Sequence, residues 1–280
     1  MKQQFLSYKE SKISYLLFGS GPRVVLCFHG YGEEGNAYSF FENIAGKEFI
    51  FISLDLPFHG KTNWNSGAYF QKTDLEIIIR NILSENKIDI QGKHQPFTFI
   101  GFSLGGRIAL SVYEIFPQQV EKIILLAPDG LKINFWYRLS TQTWLGKKLF
   151  AFTMNYPGWF FVFLRVLIVI RLVNKRIFKF VKYYIGNKEM RRLLYQRWTV
   201  LGKIKPDTER IKKLIVENKT RVSLIYGQYD RVIIPDPGKK FRKGIERFVS
   251  IKMIKTGHQV LHKNHAAEIL PFLTGKKDNP

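Results

Sequence analysis

Short runs, most of them apolar almost throughout, punctuate the chain at Val24–Phe28, Phe49–Leu54, Phe97–Phe102, Ile123–Leu126, Val222–Tyr226 and Val249–Ile254. Each is rich in β-branched or aromatic residues and bounded by Gly, Pro or Asp, and longer helical stretches separate them. Runs without polar–apolar alternation are expected of strands covered on both faces. Strands that alternate with helices predict an α/β architecture: a mainly parallel sheet, joined by right-handed crossovers and flanked by helices. Residues 4–18 behave differently, alternating weakly on either side of Glu10-Ser11-Lys12, and predict an opening hairpin. Hairpin and runs together make eight strands.

The rhythm stops between Leu131 and Arg210. These residues show no strand-like run and are rich in Trp, Phe, Tyr, Lys and Arg. They predict a helical insertion, a lid lying over the carboxyl edge of the sheet, with a core formed by residues 1–130 and 211–280. The most apolar part, Trp159–Val173, is too short for the ~20 residues that a spanning helix needs. Arg165 and Arg171 interrupt it, each at roughly 2.5–3.5 kcal/mol if placed at mid-bilayer. A helix packed in a lid or lying on a membrane surface fits better than a span.

Composition bounds the answer further. A chain of 280 residues with 45% hydrophobic and 24% charged residues can build a core without a disulfide or a metal. The single cysteine, Cys27, sits inside an apolar run and reads as a small buried hydrophobe. The amino terminus lacks the apolar segment and cleavage site of a secretory signal, so the expected location is the cytoplasm. The net charge of +22 is the unusual feature. Residues 131–210 hold 17 Lys and Arg against three acidic residues, a net of +14, so the charge is concentrated there. Within Asn174–Tyr184, Lys175, Arg176, Lys179 and Lys182 interleave with Ile177, Phe178, Phe180 and Val181, the pattern of a basic amphipathic helix. Three readings stay open: peripheral contact with an anionic membrane surface, attraction of an anionic substrate, or packing on the core with solvated lysines. No nucleic-acid-binding module is present in the sequence, and no such partner is expected.

Chemistry concentrates at Phe97-Thr98-Phe99-Ile100-Gly101-Phe102-Ser103-Leu104-Gly105-Gly106-Arg107, where a strand-like run ends in Gly-x-Ser-x-Gly and a helical pattern follows at once. An incidental match in a loop would lack that context. A nucleophile on so tight a turn is lifted above the sheet, at a helix amino end that favours negative charge. Upstream, Val24–Phe28 runs into His29-Gly30-Tyr31-Gly32. Acyl transfer needs two converging N–H donors for its oxyanion. The amides of Leu104 and Tyr31 are the candidates, with His29 as a structural residue. A third segment, Asp55-Leu56-Pro57-Phe58-His59-Gly60, follows another apolar run.

These three segments, in this order, resemble the α/β-hydrolase superfamily, in its serine esterase and lipase-like branch. The resemblance covers nearly everything outside residues 131–210 and departs from the usual pattern at Phe58, where a small residue is usual. It implies an acid after a late strand and a histidine after the last one. Val222-Ser223-Leu224-Ile225-Tyr226-Gly227-Gln228-Tyr229-Asp230 and Ile251-Lys252-Met253-Ile254-Lys255-Thr256-Gly257-His258 match those segments, which makes Asp230 the preferred acid and His258 the base. Asp129 is the alternative acid. His262 and His265 read as surface or helix-packing residues, His59 as a brace for its own turn, and His94 as part of a polar loop. The implied activity is hydrolysis of a small-molecule carboxylic ester with a lipophilic portion, without metal or cofactor. Two alternatives remain. One is a lyase like the menaquinone-pathway synthase, with Arg107 placed to bind carboxylates. The other is a non-catalytic binding protein on the same scaffold.

Overall fold

The computed structural model describes residues 1–89, 96–132, 135–171 and 175–275. His94, and the side chains of Lys175, Arg176, Ile177 and Phe180 in the basic-helix pattern, lie outside that description. The chain packs as two units. The first holds Met1–Gly67, Gln71–Lys132 and Ile204–Pro280, and the second holds Ala68–Phe70 and Ile133–Lys203.

The first unit opens with the expected hairpin, β1 (Lys2–Tyr8) and β2 (Ser11–Gly19), closed at Lys9, whose φ is +49°. It continues through β3 (Arg23–Phe28), α1 (Phe41–Ala45), β4 (Phe49–Leu54), α2 (Lys72–Glu85), β5 (Phe97–Phe102), α3 (Leu104–Tyr113) and β6 (Val120–Leu126). Residue Ile123, where the apolar run begins, is not the start of β6. Glu121 and Lys122 precede it within the strand: Arg23 pairs with Glu121 at 3.0 Å, and Lys122 Nζ donates to the Leu273 carbonyl at 2.9 Å. Satisfied polar groups of this kind hide a strand end from an apolar-run reading.

The regular elements of the second unit are all helices among its described residues: α4 (Phe135–Gln142), α5 (Trp144–Asn155), α6 (Gly158–Val169), α7 (Lys175–Gly186) and α8 (Lys188–Val200). Thr143 caps α5 by accepting from the Gly146 amide at 3.1 Å, and Asn187 caps α8 by accepting from Glu189 and Met190. Residues 68–70 join this unit because the Phe70 amide donates to the Val200 carbonyl at 2.7 Å.

The first unit resumes with α9 (Thr208–Asn218), β7 (Arg221–Gly227), α10 (Asp236–Arg242), β8 (Val249–Ile254) and α11 (Ala266–Thr274). The boundary therefore falls at Lys203 rather than Arg210. Asp207 caps α9 by accepting from the Glu209 and Arg210 amides, and Ile204, Ile211 and Ile215 are buried in the first unit.

The sheet has eight strands in the order β1-β2-β4-β3-β5-β6-β7-β8. β1, β2 and β4 pair antiparallel and β3 through β8 pair parallel, which fits the expected mainly parallel α/β sheet. In β3, Val25 and Cys27 enter one apolar cluster with Phe18, Phe41 and Phe51, while Leu26 and Phe28 face Ile79 and Ile82 of α2. Period-2 alternation with both faces apolar is why the run reads as unbroken. Phe51 is fully buried and stacks on Phe18 at 5.0 Å, and burial of that size stabilises by roughly 1.5–3 kcal/mol per side chain. Cys27 is buried and free, and burial pushes its thiol well above the usual range. β8, at the sheet edge, is less covered: Val249 and Ile254 at its ends are buried, while Ser250 and Lys252 between them are exposed.

Candidate active site

All the candidate residues fall in the first unit, in segments that follow the carboxyl ends of parallel strands, where open α/β sheets gather ligands. Ser103 lies between β5 and α3 with φ +49° and ψ −114°, a conformation that costs about 1–3 kcal/mol for a residue with a side chain. Its neighbours hold it there. The Ser103 amide donates to the Leu126 carbonyl, and the Ser103 carbonyl accepts from the Gly106 and Asp129 amides, each at 2.9 Å. The glycines allow the close approach: a Cβ on Gly101 would overlap the Gly105 carbonyl, and one on Gly105 would overlap the Phe28 carbonyl. α3 begins directly after Ser103, so the Leu104 amide belongs to the first turn, whose N–H groups have no acceptor within the helix.

His258 Nε2 lies 3.1 Å from Ser103 Oγ, and its Nδ1 lies 2.8 Å from Asp230 Oδ2. Asp230 follows β7 and its side chain is fully buried. Its other oxygen, Oδ1, accepts from the amides of Val232 at 2.7 Å and Ile233 at 3.0 Å. That division fixes the carboxylate and turns Oδ2 toward the imidazole. The loops after β7 and β8 are tied to one another, since the Gln228 amide donates to Ile254 and the Tyr229 amide to Thr256. The 28-residue separation of Asp230 and His258 accommodates α10 and β8.

The alternative acid, Asp129, is engaged elsewhere, in an ion pair with the buried guanidinium of Arg107. Tyr31 follows β3 in a loop that His29 organises. His29 is fully buried, its Nδ1 hydrogen-bonds the Gly30 carbonyl at 2.8 Å, and its Nε2 accepts from the Leu56 amide at 3.1 Å. His29 therefore joins the loops after β3 and β4, a structural part. Asp55 stabilises the second of these loops by accepting from the Gly35 amide, Ser14 Oγ and the Lys61 amide. His59 Nδ1 braces the turn at the Pro57 carbonyl, 2.9 Å away, and Phe58 takes φ +62° there. His262 is exposed and accepts from the Asn264 amide, while His265 pairs with Glu268 at 3.3 Å, so neither reaches Ser103.

One residue was missed by sequence reasoning. Glu33 accepts from the Gly30 amide at 3.2 Å and from Gln259 Nε2 at 2.9 Å, tying the Tyr31 loop to the His258 loop. Burial raises its carboxyl above the ordinary range, opposed by those two hydrogen bonds and by His258. Its only sequence signal is position, two residues after Tyr31 and in an unremarkable Glu-Glu pair. Among the described residues, no group of three or more His, Cys, Asp or Glu side chains is placed to hold a metal ion.

The family model for the alpha/beta hydrolase fold matches residues 23–264. The chain belongs to the alpha/beta hydrolase fold family. The second unit is inserted between β6 and β7 of that fold. An uncharacterized hydrolase, YugF of Bacillus subtilis, is 23% identical over 86% of this chain and 85% of its own length. A pimeloyl-[acyl-carrier protein] methyl ester esterase of Pseudoalteromonas atlantica is 30% identical over 42% of each chain. Other curated relatives are matched over only 29–39% of their own length. Among solved structures, a thermophilic esterase from Thermogutta terrifontis superposes with a TM-score of 0.65 at 15% identity. The superposition covers 98% of this chain and 99% of that one.

Proposed function

We propose that the protein hydrolyses a carboxylic ester with a lipophilic portion, through an acyl-enzyme formed on Ser103. The observation that carries this reading is the imidazole of His258 standing between Ser103 Oγ and Asp230 Oδ2, at 3.1 and 2.8 Å. With Nδ1–H donating to Asp230, Nε2 is left to accept the Ser103 proton. Ser103 Oγ then attacks the ester carbonyl, and the carbonyl electron pair moves to oxygen as an oxyanion. The amides of Tyr31 and Leu104 would donate to it, each worth ~3 kcal/mol of transition-state stabilisation. Collapse expels the alcohol, which takes the proton from Nε2, and leaves the acyl group on Ser103. Water repeats the cycle with His258 as base and releases the acid. Asp230 holds the tautomer and stabilises the imidazolium.

The resemblance of part of the chain to a methyl ester esterase supports an ester over other acyl substrates. The lyase reading would use Arg107 for substrate carboxylates. That side chain is buried and paired with Asp129, which weighs against it. Replacement of Ser103 by Ala is expected to lower turnover of a short p-nitrophenyl ester by at least about 10⁴-fold, and to abolish labelling by a fluorophosphonate. Retained turnover would overturn the proposal, and so would failure of the wild-type protein to label.

A further inference from the structure

We infer that α5 and α6 form a surface that lies in the interface of an anionic lipid bilayer. Both helices belong to the second unit, and the surface is independent of the chemistry at Ser103. On α5 the exposed apolar residues Trp144, Leu145, Leu149 and Phe152, with Tyr156 just beyond, fall on one stripe at helical spacing. On α6, Trp159, Val162, Phe163, Val166, Val169 and Ile170 do the same. Val169 is 80% exposed and Leu145 70%, values expected of lysines rather than core residues. The two stripes are continuous across the break. The Phe152 ring lies 5.4 Å from Tyr156 and 6.3 Å from Trp159, and Trp159 lies 6.5 Å from Phe163. A contiguous apolar surface of this extent marks an interaction site.

Charge selects the partner. Residues 144–171 contain no acidic residue and four cations, Lys147, Lys148, Arg165 and Arg171, and Glu189 is the unit's one carboxylate. Lys148, Arg165 and Arg171 are exposed, and Lys148 Nζ sits 4.0 Å over the Trp144 ring, a cation held against an aromatic face. Cations beside Trp and Tyr rings, flanking an aliphatic stripe, match the depth profile of a bilayer interface. An acidic headgroup layer over hydrocarbon supplies both complements at once.

The geometry also fixes how the surface meets the bilayer. No single described helix is long and apolar enough to cross a membrane. α5 and α6 pass that test only together, with a bend of 100° at a break of backbone. The backbone groups freed at the break would have no partner in hydrocarbon, so a span is disfavoured and an in-plane corner is favoured. This assigns the contact to α5 and α6 rather than to the basic pattern of α7.

The test is co-sedimentation of the full chain with phosphatidylcholine vesicles, with and without phosphatidylglycerol. Phosphatidylglycerol is expected to raise the partition coefficient about tenfold or more, and added salt to reverse the gain. The double variant Phe163→Asp with Val166→Asp should lower it by at least about tenfold, with an unchanged melting curve because both side chains are exposed. Ile77→Asp, at an exposed apolar position on α2, should change nothing. Ser103→Ala should bind like wild type, so loss of esterase activity and loss of binding are separable. The inference is overturned if wild type binds neither vesicle, or if Ile77→Asp lowers binding as much as the double variant. A dimer seen by light scattering, dissolved by the double variant and indifferent to vesicles, would assign the surface to a second copy and likewise overturn it.

Discussion

Two parts of one chain use the same residue types for opposite ends. In the sheet unit, Phe28, Phe49, Phe51 and Phe99 are at most 1% exposed, packed between strands and helices on both faces. In the helical unit many aromatics are exposed, among them Trp144, Phe152, Tyr156, Trp159, Phe163 and Tyr183. Fourteen of the twenty-two exposed large hydrophobic side chains among the described residues belong to it, and buried helix residues such as Leu164 and Met154 still keep 5% and 8% exposure. A strand shares its backbone hydrogen bonds with neighbours and is covered from both sides, whereas a helix satisfies its backbone alone and can leave a stripe uncovered. The unit that carries the Ser103 geometry is thus rigid by construction, and the other is free to offer surface.

Several variants break or sharpen that contrast. The largest effect belongs to the site. Asp230→Asn should lower kcat for ester hydrolysis by about 10³–10⁴-fold through the wrong imidazole tautomer, measured by steady-state kinetics with the melting temperature as control. Asp129→Asn should instead leave kcat within about tenfold and lower stability by about 3–5 kcal/mol, because it removes the carboxylate charge that pairs with the buried Arg107 guanidinium. The reverse pattern would make Asp129 the acid.

Next comes packing. Phe51→Ala is expected to cost about 3–5 kcal/mol in denaturant unfolding, since the cavity has no way to collapse between stacked rings. Phe163→Ala, at 49% exposure, should cost less than about 0.5 kcal/mol. Equal costs would show that α6 packs against something in solution.

The smallest effect tests Glu33. Its folded carboxyl is raised above its unfolded value by burial, so the folded state holds the proton more tightly. Stability from this group is therefore greatest below the ordinary Glu range and falls as pH rises through the unfolded and then the folded pKa. The stability of Glu33→Gln relative to wild type should accordingly grow as pH rises from that range toward neutrality, whatever constant cost the altered hydrogen bonds add. A difference that stays flat or shrinks would count against a raised carboxyl.

The site was legible to different depths. Ser103 stands immediately past an apolar run, in a spacing that a tight turn demands, so its placement could be read from punctuation alone, whereas Asp230 and His258 followed from the resemblance of their strand-end segments to the family's. The choice of Asp230 over Asp129 could not be derived that way. Both follow strands, and what separates them is Arg107, adjacent to Asp129 only in space. Glu33 was invisible for the same reason: its partners Gly30 and Gln259 are bound to it by folding, 226 residues apart from it in the second case.

The sequence by itself determined the alternation of strand and helix, the two-faced burial of the central strands and the turn at Ser103. These depend on period, on the φ that a tight turn forces and on the space that glycine leaves, all local properties. The tertiary structure alone decided which carboxylate meets His258, that residues 204–210 pack with the sheet, and that α5 and α6 keep their apolar stripes exposed. Those outcomes turn on which groups compete for one neighbour across the fold, and no stretch of chain contains that competition.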